Sequence, residues 1–158
     1  MDQKTKIHAE DGKQEIMITR GFDLPLDLLF RAYVEPEIIE EWMGTKVIKL
    51  ESKKYGSYEF QTTGPTGYTF ALTGVIHEFI PNQKIIRTFE MSNVNLGVQL
   101  EFLEFEQLTE DTSKLTMHVI YESIEKRNQL LQLPFAKGIN MAHNRMQEIL
   151  NKLKNIKQ

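Results

Sequence analysis

The order of its segments constrains this chain more than any single motif. Two short helical stretches ending at Trp42 are followed by strand-like segments to about Tyr121, and then by one long amphipathic stretch, Phe135 to about Lys154. A sheet and a helix must each bury an apolar face. When the only long helix comes after all the strands, the sheet buries most by curling around it, and that geometry tends to leave a cavity. The expected class is α+β, a curved antiparallel sheet wrapped around a C-terminal helix, with two short helices after the first strand.

Composition narrows the function classes. At 158 residues the chain suits one domain that buries about 70% of the surface exposed when unfolded. Residues 15–155 are read as that domain. With 41% hydrophobic and 26% charged residues, it is neither disordered nor membrane-spanning in composition. Cysteine is absent, which removes disulfides, thiolate nucleophiles and thiolate metal sites. A net charge of -3 without a basic stripe gives no footprint for nucleic acid. Lys152, Lys154 and Lys157 cluster only in the last turns of a helix, where the macrodipole favours cations. Residues 1–14 read as a flexible polar tail without the apolar run of a secretory signal, so the expected location is cytoplasmic.

Along the chain, Glu15 to Phe22 alternates as a first strand. Asp23 and Pro25 suggest a cap and first-turn proline for a helix reaching Glu35, and Pro36 opens a second, stopped by Gly44. Strands follow at Thr45–Leu50, Tyr55–Thr63, Tyr68–Ile80, Lys84–Glu90, Val98–Gln107 and Lys114–Tyr121. Gly64-Pro65-Thr66-Gly67 signals a hairpin. Gly74, in the middle of the longest strand, suggests a bulge or bend. Short turns throughout make the sheet antiparallel. A short helix is expected at Asn128–Leu133. The last helix carries Phe135, Ile139, Ala142, Met146, Ile149, Leu150 and Leu153 on one face, with Gly138 beside it as a point of close approach.

Three stretches carry a resemblance. The first runs from Arg20 through Gly-Phe-Asp-Leu-Pro to Glu35-Pro36 and Glu41-Trp42-Met43-Gly44. The second is Gly74-Val-Ile-His-Glu78-Phe-Ile-Pro81 with Lys84-Ile-Ile-Arg-Thr-Phe89, and the third Gly138-Ile-Asn-Met-Ala-His-Asn-Arg-Met146. Together they resemble proteins similar to the C-terminal domain of the Hsp90 ATPase activator Aha1, within the START-like or SRPBCC superfamily, over about Glu15 to Leu153. The chain departs from the family where Trp-Trp-Gly-Pro is common, reading Trp42-Met43-Gly44-Thr45, and where His143 replaces a frequent aromatic residue. The resemblance implies a helix-grip fold with a deep apolar pocket, used by superfamily members for lipids, sterols, polyketides or plant hormones.

The expected lining combines Trp42 and Met43 with the strand residues Phe60, Phe70, Leu72, Phe89, Leu100, Phe102, Met117 and Val119, and Phe135, Ile139 and Ala142 on the last helix. Alternation cannot separate core from cavity wall. Trp42 is expected first as an anchor of the second helix on the sheet and, compatibly, as a pocket wall. Arg87, His143 and Tyr68 are the polar candidates to orient a ligand. Glu101, between Leu100 and Phe102, is expected to face water, and Glu78 is expected to pair with Arg87 across a hairpin. His77 and His118 are expected outward. The histidines lack metal-site spacing, and no nucleophile triad or phosphate loop is present.

The preferred expectation is a binding protein for a hydrophobic small molecule, needing no cofactor. An alternative suggested by the resemblance is a chaperone-interaction module. A third is a cyclase- or hydrolase-type enzyme using His143 or a pocket glutamate.

Overall fold

Alternating burial along Glu15–Phe22 sets the geometry of the molecule. In the computed structural model, which describes residues 4–64 and 66–156, every second side chain of this strand, β2, is inside: Ile16, Ile18, Arg20 and Phe22. Its neighbours are β1 (Lys6–His8) and β8 (Ser113–Ile120). The chain then forms α1 (Leu26–Val34) and α2 (Pro36–Met43), and five strands: β3 (Lys46–Leu50), β4 (Ser57–Thr63), β5 (Thr69–Ile80), β6 (Lys84–Met91) and β7 (Val98–Gln107). After β8 come α3 (Ile124–Gln132) and α4 (Phe135–Ile156). All eight strands form one antiparallel sheet in the order β1-β2-β8-β7-β6-β5-β4-β3. This is the helix-grip arrangement, with α1, α2 and α4 packed on the concave side.

Local chemistry explains the helical pair. Pro25, not Asp23, occupies the N-cap of α1, and its carbonyl accepts from Leu28 and Leu29, both at 3.1 Å. The polypeptide at Asp23 is instead tied to α4: its N–H donates to Gln147 Oε1 at 3.0 Å. Pro36 opens α2, where a missing N–H costs nothing, and Gly44 ends it at φ 63°, a conformation that favours glycine. Trp42 donates from Nε1 to the Ala32 carbonyl at 2.7 Å and packs against Tyr33, which fixes α2 on α1.

Four sequence expectations need correction. Residues 6–8 of the presumed tail are strand β1. Ile7 packs on the core and Thr5 is buried, but three residues are too short to show alternation. Met1–Gln3 and Lys157 lie outside the described residues, as does Pro65 of the hairpin. Helix α3 begins at Ile124, four residues earlier than expected, because Ser123 caps it by accepting the Lys126 N–H at 3.1 Å. The register of β5 against β6 shifts between Ile76 and Glu78, beyond Gly74. Gly74 serves close approach instead: a Cβ there would lie 2.0 Å from the Thr88 carbonyl oxygen. Finally, Gly138 faces open space, with nothing within 4 Å of a Cβ built there. Gly138→Ala is therefore expected to stabilise the fold by about 0.5–1 kcal/mol through helix propensity, measured as a rise in the urea midpoint.

Candidate functional site

Between α4 and the concave sheet lies a cavity of about 390 Å³, within the range of small-molecule sites. Most of its wall is apolar. α2 supplies Trp42 and Met43, the strands supply Phe70, Leu72, Phe89, Met117 and Val119, and α4 supplies Phe135, Ile139 and Ala142. Arg87 and His143 also line it. The sequence singled out all of these.

Four others lie elsewhere. Phe60 is 2% exposed, but it belongs to the packed core and does not reach the cavity. Tyr68 is 57% exposed, with its ring against Phe70, so it is not placed to orient a ligand in the cavity. Leu100 and Phe102 point to the convex face, where Phe102 stacks on His118. The phase of β7 is thus opposite to the expected one, and Glu101, Leu103 and Phe105 are the inward residues. The adjacent apolar pair Phe102-Leu103 fits either phase, so alternation alone had no deciding residue.

The inverted phase creates the main polar feature of the wall. Arg87 on β6 stands directly across from Glu101 on β7, and its Nε donates to Glu101 Oε1 at 2.8 Å. The two side chains are only 12% and 5% exposed. Gln99 donates from Nε2 to the other carboxylate oxygen, also at 2.8 Å. The guanidinium lies over the rings of Tyr58 and Tyr33, 5.2 and 6.0 Å from their centroids, a cation–π arrangement. Glu78, expected to partner Arg87, pairs with Lys84 instead, because the register shift in β5 displaces it along the strand.

His143 lies inside the buried face of α4. It is 2% exposed, and its Nδ1 lies 2.7 Å from the Thr5 hydroxyl. Arg20 reaches the same hydroxyl at 3.3 Å and donates to Asn144 Oδ1 at 2.9 Å. Burial, and after it the charge of Arg20, pushes the His143 imidazole down to about 4 from its ordinary 6.5. The neutral ring is therefore the folded form at pH 7. Because the unfolded chain binds this proton more tightly, the stabilisation is complete above about pH 6.5 and is lost as pH falls toward 4. The difference is about 3 kcal/mol. Chemical denaturation at pH 7 and at pH 4 is expected to show this loss in the native protein, beyond the loss in His143→Gln.

Sequence reasoning missed Tyr33, Gln99, Glu101, Tyr121 and the rim residues Leu96 and Leu130, all of which line the cavity. For Tyr121 a signal existed: it shares parity with Met117 and Val119, both read as inward. Among the described residues no group of three or more His, Cys, Asp and Glu side chains could hold a metal.

Comparison with known proteins agrees with this architecture. A protein from Rhodobacter sphaeroides is 21% identical over 94% of this chain and 99% of its own, with a TM-score of 0.84. A Mycobacterium smegmatis protein is 20% identical over 93% of this chain and 96% of its own, with a TM-score of 0.82. For a Staphylococcus epidermidis protein the identity is 18%, the coverage 93% and 94%, and the TM-score 0.79. At these identities the likeness concerns the fold. No curated protein matches. The family model described as activator of Hsp90 ATPase homolog 1-like protein matches residues 23–155, a span from the loop before α1 to the last turn of α4, and the chain belongs to that family.

Proposed function

We propose that this protein binds one hydrophobic small molecule in the cavity between α4 and the sheet. The observation that carries the reading is the cavity itself, a space of about 390 Å³ walled by aromatic, aliphatic and thioether side chains. Among the described residues, Arg87 and Glu101 on its wall form an ion pair with each other. Burying an apolar molecule there gains about 25 cal/mol per Å² of surface removed from water. Met43, Met91 and Met117 give the wall side chains that repack easily.

The test is a native mass spectrum of freshly purified protein, followed by titration with apolar and amphiphilic compounds. A co-purified mass or saturation at one molecule per chain is expected. Replacing Ile139 by arginine, on the half-buried face of α4, is expected to abolish saturation while thermal unfolding stays cooperative. Binding that survives this change would place the ligand elsewhere. The family description supports a second reading, a chaperone-interaction module. It predicts a change in chaperone ATPase rate on addition of this protein, and no change would remove it.

A further inference from the structure

Among the described residues, one fully buried side-chain oxygen has no hydrogen-bond partner, and it belongs to a residue of the cavity wall. Tyr121 is 3% exposed, lines the cavity, and follows Met117 and Val119 on the inward side of β8. Its hydroxyl is buried without a hydrogen-bond partner among the described residues. Buried hydroxyls are nearly always paired, and an orphan one is costly. The two charged groups of the wall, Glu101 and Arg87, are paired with each other. Glu101 receives Arg87 on one oxygen and Gln99 on the other, and Arg87 is held between the faces of Tyr33 and Tyr58.

We infer that the cavity selects an uncharged amphiphile, an apolar chain or ring system carrying a hydroxyl or carbonyl oxygen that accepts a hydrogen bond from Tyr121. The inference rests on the ligand-binding reading above and specifies its chemistry. An anionic head would face the Glu101 carboxylate and would have to share Arg87 with it. A cationic head would face Arg87. Either would have to leave water beside a like charge of the buried Arg87–Glu101 pair. A neutral oxygen needs only the free phenol. Burial, and secondarily the Glu101 charge, raises the pKa of Tyr121, so the phenol retains its proton and donates.

Trp42, the sole tryptophan, forms part of the same wall and reports binding by its fluorescence. The probes are decane, decanol, 2-decanone, decanoate and decylammonium, titrated into the native protein and into Tyr121→Phe. The alcohol and the ketone are expected to bind more tightly than either ion. Tyr121→Phe is expected to weaken the alcohol and the ketone about fivefold, the worth of one hydrogen bond, and to leave decane unchanged. Cooperative unfolding of the variant shows that its fold is kept. If decanoate or decylammonium binds as well as decanol, or if Tyr121→Phe leaves decanol unchanged while decane still saturates, the inference is overturned and the cavity reading stands. If no probe saturates, both are overturned.

Discussion

Replacing Glu101 by leucine is expected to destabilise the protein by about 3–5 kcal/mol, although leucine is the more apolar residue and the site is buried. Glu101 is one half of an ion pair that is almost wholly removed from water. Removing it leaves the Arg87 guanidinium in the cavity wall with its nearest counter-charge gone, and an uncompensated buried charge is among the costliest single defects in a core. Gln99 loses its acceptor at the same time. The double change Arg87→Met with Glu101→Leu is expected to recover most of the loss, since a buried pair replaced by packed apolar groups is often neutral. Urea denaturation of the two single variants and the double variant measures this directly. A double variant no more stable than the worse single one would show that the pair stabilises the fold beyond compensating its own charges.

Gly74→Ala is the second change expected to have a large effect, about 2–4 kcal/mol, at a position where only one methyl group is added. The added Cβ would stand 2.0 Å from the Thr88 carbonyl oxygen and 2.6 Å from the Tyr58 hydroxyl. Those two atoms form a hydrogen bond of 2.6 Å with each other, the hydroxyl donating. β5 and β6 must therefore separate, and that bond must stretch or break. Overpacking accounts for about 1–3 kcal/mol, and the loss of the hydrogen bond for about 1 more. Tyr58→Phe in the Gly74→Ala background relieves only the hydroxyl contact. Its cost there is expected to be smaller than in the native background, as a thermal or urea double-mutant cycle would show. Equal costs in both backgrounds would mean that Tyr58 does not share the defect.

The two changes also show how far the sequence could be read. Segment order was enough for the curved sheet and its helix, because helical spacing along Phe135 to Leu153 and strand alternation on either side of short turns are strong local signals. Orientation was harder. In β7 the Phe102-Leu103 pair makes both phases apolar, and the phase is decided by Arg87 across the ladder, a partner that periodicity within one strand does not see. The same limit applies to Gly74, whose constraint comes from β6 and Tyr58. In α4, the stripe through Ile139, Ala142 and Met146 was legible. The placement of His143 and Gln147 at the centre of the buried face was not, because each depends on a distant partner, Thr5 for one and the backbone at Asp23 for the other. Arg127 follows the charged pair Glu125-Lys126 in the sequence, yet it is 2% exposed and donates to the Glu10 carbonyl at 2.8 Å. Polar residues buried by long-range pairing are the class that alternation misplaces.

The central claim is that the space under α4 is a binding site, and an amide-shift NMR titration with decanol tests it most directly. Saturating shifts concentrated on the first turns of α4 and on the inward strand positions around Phe89, Gln99 and Val119 are predicted, with one molecule bound per chain. Shifts confined to the convex face around Phe102 and His118, or none at all, would contradict the account.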